Sequence, residues 1–521
     1  MLSEIPELLY NDIGKEISNL FFAFGEQELT VFEKSSDEIT ADNIASVYVS
    51  ATKKIRTIDF YYDGNLLQNS APIALRSGFG TKNFPFSGKE LSQTAGSFLY
   101  CLDNALQQSC PETMIRIFCR GRLKSMYGFS AILCPWPEDK DTEIILDSES
   151  TFKVVGSSKT ASIYFVNANI AIEYQDSYDS SGCNIYANGC RIGTTAGNDN
   201  AITLSNWSFY DSIVDLSCSK FSLLSGLFCI NSTFSLADNY SHNSGSLGYD
   251  FFKDCDFNFS ISATHPDPYK TYAKINYAYK SNITAEALET SGVLWVDCQL
   301  LSRANSTGST WYGYGACGAN TAVNCTATVY TNSSCQIFCG SSTKQTYINC
   351  IANLHIVEEI KQDFSAVLFH YADVTDCSAN VVIDCSIIDS EIEIQGYYLG
   401  SQNVLKNSNA NCSAKIKASS TTYNKEYYSG SGINYFAAGT YSSDYSITNL
   451  TSVKFIDFSY ITPGNSSNDI YGNCKFHCNY AKIAAGIGGL NPRYIETECK
   501  SYEFSNNSAK AWPTIGETCI W

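Results

Sequence analysis

An acidic or amide residue followed by cysteine recurs through the second half of this 521-residue chain. Eight of the eleven cysteines between residues 255 and 474 follow Asp or Asn: Cys255, Cys298, Cys325, Cys350, Cys377, Cys385, Cys412 and Cys474. The separations are 27, 25 and 27 residues along the series from Cys298 to Cys377, and 27 residues from Cys385 to Cys412. A period of this length is typical of a solenoid, in which each coil packs on the next.

The residues after each cysteine alternate between apolar and polar. From Cys350, every second position carries an apolar residue: Ala352, Leu354 and Ile356. In a β-strand such residues point to one side, so the cysteine is predicted to begin the buried side of a strand. The preceding Asn349 suits a corner, because a short amide side chain bonds local backbone groups and tolerates left-handed geometry. Each Asp/Asn-Cys pair is therefore predicted to place a polar corner residue before a buried thiol.

A coil of this length cannot bury its own apolar face, so neighbouring coils have to stack. Tyr (35 residues) and Phe (29) are abundant and Pro (11) is scarce, a composition that suits strands joined by polar turns. The sequence therefore predicts an all-β fold with a parallel β-helix (solenoid) over residues 151–500. A C-terminal cap or tail is predicted over residues 501–521.

The first part of the chain has a different pattern. Residues 3–24 place apolar side chains at three- and four-residue steps, which predicts an amphipathic helix. Residues 28–80 indicate short strands, with a hairpin turn at Asp63-Gly64. Together they predict a small α/β N-terminal module over residues 1–85.

A second helix is predicted after this module. Ser87 and Glu90 fit a capping box, S-x-x-E, at the start of a helix over 88–109. Alternating residues then predict a strand over 114–123. Residues 86–150 are thus assigned to this helix and the first coils.

This arrangement resembles the right-handed β-helices of the pectin-lyase-like superfamily, over residues 87–500. The resemblance implies a right-handed parallel β-helix in which the helix over 88–109 is an N-terminal cap, so that residues 86–150 hold the capping helix and the first coils. Such a cap covers the open end of the core, where apolar surface would otherwise be exposed. Members are mostly polysaccharide lyases, polysaccharide hydrolases, or bacteriophage tailspikes and fibres that bind surface glycans. The stretch LWVDCQ is similar to a strand motif of the pectate-lyase group, but Cys298 stands where that motif has histidine. The stretch is therefore better interpreted as another structural corner.

Charge and cysteine spacing exclude several classes of protein. A net charge of −18 without a Lys/Arg run does not provide the basic face that nucleic acid needs. No basic region precedes an apolar core at the N-terminus and no apolar stretch reaches transmembrane length, so neither export nor membrane insertion is expected. Buried free thiols are then favoured over disulfides for the 22 cysteines. No paired C-x-x-C clusters occur, so no metal and no other cofactor is predicted.

The best acidic cluster for catalysis lies in the stretch IIDSEIEIQGYY. Asp389, Glu391 and Glu393 alternate with apolar residues, so a strand would project all three from one outer face. Glycosidases use two carboxylates, and mutual repulsion can raise one pKa as a general acid requires. The same pattern fits a solvated strand face, which the sequence favours, or a surface cation site.

Aromatic residues in stretches that break the repeat are candidates for sugar binding. Trp311, Tyr312 and Tyr314 lie in a Gly-rich stretch, and Tyr397 and Tyr398 lie in a second one. Loops that project from a stiff solenoid are a common place for function. Exposed aromatic residues also fit a subunit interface or simple packing.

A bacteriophage appendage accounts for the free cysteines and the missing export signal together, because it is made in the host cytoplasm and leaves in the virion. We therefore expect a tailspike, tail fibre or head fibre that is located in the virion, forms a homotrimer and binds host cell-surface polysaccharide. Its N-terminal module would contact other virion proteins. The alternative is a polysaccharide lyase or glycoside hydrolase acting as a depolymerase, and a third interpretation is a purely structural virion component.

Overall fold

The computed structural model of the chain describes residues 56–66, 80–83, 85–87, 98–110, 113–147, 150, 152–153, 161–173, 183–195, 201–218, 220–238, 246–261, 271–286, 288–304, 315–340, 345–360, 364–387, 390–399, 404–406, 408–418, 453–463, 469–471, 474–478, 482–485, 493–496 and 502–504. The helix predicted over 3–24 and the capping-box residue Glu90 lie outside this set.

The chain divides into two compact units, residues 1–265 (unit 1) and residues 266–521 (unit 2). Both units are parallel β-helices, because strands of successive coils pair in parallel, with Leu224 opposite Leu247 in unit 1 and Ile351 opposite Ser378 in unit 2. The predicted all-β class is therefore confirmed. The one helix in the described part of the chain, α1 (Phe98–Ser109), belongs to unit 1.

Two strand faces carry the coils of unit 1. The first face consists of β1 (Arg56–Asp63), β2 (Thr113–Arg122), β4 (Ala131–Pro135), β7 (Ala161–Val166), β9 (Cys183–Asn188), β11 (Ala201–Leu204), β12 (Trp207–Tyr210), β14 (Lys220–Ile230) and β16 (Ser246–Lys253). The second face begins at the end of β2 and continues through β5 (Glu143–Leu146), β8 (Asn169–Ile172), β10 (Arg191–Thr194), β13 (Ile213–Cys218), β15 (Thr233–Asp238) and β17 (Asp256–Ile261). A short pair joins β3 (Met126–Tyr127) to β6 (Phe152–Lys153).

Unit 2 has three strand faces. The first consists of β18 (Thr271–Tyr279), β20 (Leu288–Val296), β22 (Ala319–Val323), β25 (Gln345–Ile348), β28 (Ala372–Thr375), β31 (Val404–Lys406) and β34 (Asp469–Tyr471). The second consists of β19 (Asn282–Glu286), β21 (Gln299–Ala304), β23 (Thr326–Thr331), β26 (Ile351–Ile360), β29 (Ser378–Ile387), β32 (Asn409–Ala418) and β35 (Cys474–Cys478), with β38 (Tyr502–Phe504) antiparallel at its end. The third consists of β24 (Cys335–Phe338), β27 (Phe364–His370), β30 (Ser390–Leu399), β33 (Val453–Pro463) and β36 (Lys482–Ala485), with β37 (Arg493–Glu496) antiparallel.

The chain passes from α1 into β2, as the sequence predicts. α1 ends at Ser109, and the strand predicted over 114–123 follows as β2. Leu99 and Leu106 of α1 are buried, as is expected of a helix whose apolar side lies on a core.

β1 is a rung of the β-helix, although its residues fall in the region predicted as a separate module. It pairs in parallel with β2 over all eight of its residues. The turn at Gly64 after Asp63 is present, but Tyr62 also forms a parallel bridge with Phe86. Because its neighbours on both edges are parallel, the strand before this turn is not one arm of a two-stranded hairpin.

The cores are filled by side chains that stack from coil to coil. In unit 1, the rings of Tyr164 and Tyr186 lie with centroids 4.9 Å apart and planes at 13°. In unit 2, the rings of Phe338 and Phe369 lie 4.9 Å apart with planes at 4°. All four rings are buried, and each pair contributes roughly 0.5–1.5 kcal/mol beyond its burial. Parallel register produces this stacking, because it places equivalent residues of successive coils side by side.

Candidate functional site

Coils of both units turn from the first face to the second at corners with the same local geometry. A residue with positive φ is followed by a small, buried residue. The pairs are Asn167-Ala168, Gly189-Cys190, Asp211-Ser212, Asn231-Ser232 and Asp254-Cys255 in unit 1, and Lys280-Ser281, Asp297-Cys298, Asn324-Cys325, Asn349-Cys350 and Asp376-Cys377 in unit 2. The predictions of a corner at Asn349 and a core position for Cys350 are confirmed, since the first has a φ of 51° and the second is 0% exposed.

Hydrogen bonds explain why these corners use cysteine and serine. The thiol of Cys377 donates to the Thr375 carbonyl oxygen at 3.2 Å and accepts from the Cys350 N–H at 3.3 Å. In unit 1 the hydroxyl of Ser212 accepts from the Cys190 N–H at 3.2 Å. A small side chain with both a donor and an acceptor thus satisfies buried backbone groups of two coils. The corner cysteine is therefore a hydrogen-bonding residue as well as a small apolar one.

Two of the eight Asp/Asn-Cys pairs are not corners, contrary to the sequence prediction. Cys385 lies inside β29 and Cys412 inside β32. The register places Val381 opposite Cys412, so the spacing of these two cysteines is not the coil period. The corner is at Ser408, which is buried and whose hydroxyl accepts from the Cys377 N–H at 3.1 Å. Because Asx-Ser marks a corner as well as Asx-Cys, a count of cysteines alone misses it.

The predicted catalytic residues belong to β30 and its surroundings. Asp389 lies outside the described residues. Glu391 and Glu393 lie on β30, with Phe455 and Asp457 of β33 as their register partners. The expected strand is present, and the catalytic role of these carboxylates stays a prediction. In the described part of the chain, no group of three or more His, Cys, Asp or Glu residues could hold a metal ion.

The predicted sugar-binding residues fall into two sets. Trp311, Tyr312 and Tyr314 lie outside the described residues. Tyr397 and Tyr398 lie on β30, where their register partners on β27 are Phe369 and His370. The second set is therefore placed beside another aromatic residue and a histidine, and its role in sugar binding stays a prediction.

A compact group of polar and aromatic side chains lies on the outward side of the second face of unit 2. We call it the outer patch: Arg303, Tyr330, Asn353, His355 and Asn380. The register places Arg303, Tyr330 and His355 on successive strands. The Tyr330 and His355 rings stack with centroids 4.5 Å apart and planes at 13°, and the Arg303 guanidinium carbon lies 6.0 Å from the Tyr330 centroid. The three side chains therefore form one stack across three coils.

Amide side chains form a second column of the outer patch. Asn380 Nδ2 donates to Asn353 Oδ1 at 3.0 Å, and Asn353 Nδ2 donates to Thr328 Oγ1 at 3.2 Å. Burial lowers the pKa of His355 beside them, which favours the neutral imidazole, a donor at one nitrogen and an acceptor at the other. The sequence reasoning missed this patch, although the 27 residues between Asn353 and Asn380 equal the separation of the corner cysteines.

A second group lies where β27 meets β28, and we call it the Tyr371 corner: Cys339, His370 and Tyr371. His370 Nδ1 lies 3.3 Å from Cys339 Sγ, and the His370 and Tyr371 ring centroids are 4.1 Å apart. Burial, with a smaller contribution from Glu289, raises the pKa of Cys339 to about 12, and burial lowers the pKa of His370. Both groups are therefore neutral at pH 7, which does not provide the thiolate that nucleophilic catalysis needs.

Comparison of the chain with protein-family models, with curated proteins and with solved structures found no match. Among the residues described, no helix has the length and apolar character needed to cross a membrane. The fold defines a parallel β-helix protein, and its function has to be argued from its own surfaces.

Proposed function

We propose that the chain is a virion appendage, a tailspike, tail fibre or head fibre, that binds host cell-surface polysaccharide through the outside of unit 2. The observation that carries this proposal is the outer patch. Its guanidinium, imidazole and amide groups lie on an outward strand face, where Arg303 is exposed and Tyr330, Asn353, His355 and Asn380 are half-buried.

The chemistry of a polysaccharide matches that of the outer patch. A sugar chain presents many hydroxyl groups, which bind selectively where donors and acceptors are already fixed. The Asn353–Asn380 hydrogen bond and the Tyr330–His355 stack fix these side chains before a ligand arrives. Because strands of successive coils lie about 4.8 Å apart, a sugar chain lying across them would meet a new set of polar groups at each coil.

The state of the cysteines supports synthesis in a reducing compartment. Fifteen cysteines of the described ranges are thiols outside any disulfide bond, and most of them are buried. A phage appendage is made in the host cytoplasm, where thiols stay reduced, and reaches its site of action as part of the virion. In this proposal residues 1–85 attach the chain to other virion proteins and the appendage is a homotrimer.

The alternative function is that of a polysaccharide lyase or glycoside hydrolase, a depolymerase. The observation that favours it is the position of Glu391 and Glu393 on one continuous strand of the third face. Glycoside hydrolases usually use a pair of Asp or Glu residues as their catalytic groups. A purely structural virion component would use neither these carboxylates nor the outer patch.

One experiment separates the three functions. The full chain is incubated with a panel of purified bacterial capsule and cell-wall polysaccharides, and both binding and release of reducing or unsaturated ends are measured. Binding without end release supports the proposed appendage, and end release supports the depolymerase. A triple alanine variant of Asp389, Glu391 and Glu393 then tests those carboxylates, since release that persists excludes them. Absence of both binding and release overturns the glycan-binding proposal.

Matched variants test whether the outer patch is responsible. Arg303→Ala and Asn380→Ala should each weaken polysaccharide binding. Lys274→Ala is the control, because it removes an exposed positive charge from β18 on the first face of the same unit. Light scattering adds the oligomeric state: a mass near three chains supports the appendage, and a monomer contradicts the homotrimer.

A further inference from the structure

Tyr371 has a backbone conformation that its residue type disfavours. It lies between β27 and β28 with a φ of 48°, and 41% of its surface is exposed. Nine of the twelve described non-glycine residues with positive φ are Asn or Asp, whose short polar side chains stabilise left-handed geometry locally. A tyrosine side chain cannot form such a bond, and for a bulky residue positive φ is an outlier. Strain of this kind at an exposed residue is a reason to look for a function.

The imidazole ring of His370 lies beside the Tyr371 ring. The His370 ring lies 4.1 Å from the Tyr371 ring, with planes at 47°, and the Cys339 thiol lies 3.3 Å from His370 Nδ1. Cys339 directly follows β24, and the register of the third face aligns it with His370 of β27. On the next strand, β30, the register partner of His370 is Tyr398. Tyr371 is thus an exposed ring next to a half-buried imidazole.

The negative charge of the chain disfavours anionic sugars as ligands of the Tyr371 corner. Asp373 is half-buried two residues after Tyr371, and the whole chain has a net charge of −18. An anionic sugar would therefore be repelled, both locally and at long range. An uncharged sugar ring has an apolar face that can pack on an aromatic ring, and hydroxyl groups that can bond to imidazole or carboxylate.

We propose that the Tyr371 corner is a binding site for one ring of an uncharged polysaccharide, with Tyr371 as the stacking surface and His370 as a hydrogen-bonding neighbour. The inference rests on the proposed function, because it names the sugar class and a contact point apart from the outer patch. The strained φ of Tyr371 is kept because it holds the ring outward.

The test removes the ring and the strain together. Wild-type chain is first screened on an array of neutral, N-acetylated and uronic-acid-containing bacterial glycans, and the neutral or N-acetylated oligosaccharide that binds best is used in calorimetry. Tyr371→Gly and Tyr371→Asn should weaken its binding by about tenfold, as expected for an aromatic residue that the bound sugar covers, while Tm stays equal or rises. Tyr371→Phe should retain binding, because it retains the ring.

A matched variant controls for the relief of strain. Glu358 is exposed and also has positive φ, at 68°, so Glu358→Gly should affect Tm in the same direction and leave sugar binding unchanged. Unchanged binding by Tyr371→Gly overturns the site. A lower Tm in Tyr371→Gly overturns the argument from strain, since it would show that the ring only supports the fold.

The two proposals fail in different ways. If the wild-type chain binds no glycan of the array, the proposed function fails and this site fails with it. If the chain binds glycans but Tyr371→Gly binds them equally, only this site is overturned. Preference of the wild-type chain for uronic-acid glycans would overturn the inferred sugar class.

Discussion

The backbone N–H of Cys350 donates a hydrogen bond to the thiol of Cys377 in the next coil, with 3.3 Å between nitrogen and sulfur. The N–H of Cys377 in turn donates to the hydroxyl of Ser408 at 3.1 Å. All three residues are buried, so each of these side chains satisfies a backbone donor that is shielded from solvent. The corner residues therefore connect successive coils through hydrogen bonds.

Replacement of Cys377 distinguishes this hydrogen bond from simple packing. Cys377→Ser keeps a donor and an acceptor, and its free energy of unfolding should stay within about 1 kcal/mol of wild type. Cys377→Ala leaves the buried Cys350 N–H unpaired and should cost about 1–3 kcal/mol. Urea unfolding of both variants measures the difference, with Cys101→Ser on the exposed side of α1 as the control. An alanine variant more stable than the serine variant would show that packing dominates.

The backbone conformation of Asn349 predicts the order of stability of its substitution variants. Glycine and asparagine adopt a φ of 51° readily, whereas most other residues are strained at this angle. Asn349→Gly should be nearly neutral, although it loses the 2.9 Å hydrogen bond from Asn349 Nδ2 to Asn324 Oδ1. Asn349→Ala should lose about 1–2 kcal/mol, and Asn349→Val should lose more. Thermal unfolding gives the order, and a valine variant as stable as the glycine variant would contradict the assigned backbone conformation.

The sequence was sufficient to predict the fold where local chemistry repeats once per coil. The sequence predicts the positions of Asn349 and Cys350 correctly, because a left-handed corner and a small buried residue are each compatible with few residue types. It predicts Cys385 and Cys412 wrongly, because they follow the same Asp/Asn pattern inside long strands. Only the strand register, in which Cys412 lies opposite Val381, separates a corner from a strand interior.

The candidate sites are harder to predict from the sequence than the fold is. The Tyr371 corner depends on a contact between Cys339 and His370, 31 residues apart, and on a backbone angle that leaves no mark in the sequence. The outer patch is formed by register across coils, with one or two residues from each strand. Tyr398 is a candidate from sequence because of its residue type, whereas its register with His370 follows only from the structure.

Alkaline pH should destabilise the chain through its buried thiols. Burial raises the pKa of Cys317 and of Cys335 to about 12, from an ordinary value of 9.0. Between pH 9 and pH 12 the unfolded chain therefore binds fewer protons than the folded chain, so stability is complete below pH 9 and falls as pH rises. Each thiol contributes a loss of about 1.4 kcal/mol per pH unit in this range.

Urea midpoints at pH 7.5 and pH 10 measure this alkaline effect. Cys317→Ser should reduce the loss of stability between the two pH values, because one buried thiol no longer ionises on unfolding. Cys101→Ser should leave the loss unchanged, since Cys101 is exposed in the folded chain. An equal loss in wild type and Cys317→Ser would contradict the contribution of buried thiols.

Acidic pH should also destabilise the chain, through the Tyr371 corner. Burial lowers the pKa of His370 from its ordinary 6.5, so below that pH the unfolded chain binds a proton that the folded chain resists. Stability from this group is complete above pH 6.5 and falls as pH decreases towards the folded pKa. His370→Gln removes the titration, and it should lose less stability than wild type between pH 7.5 and pH 5.5 in urea unfolding. Carboxylates titrate in both proteins and cancel in the comparison, so equal losses would show that His370 is protonated as readily in the folded chain as in the unfolded one.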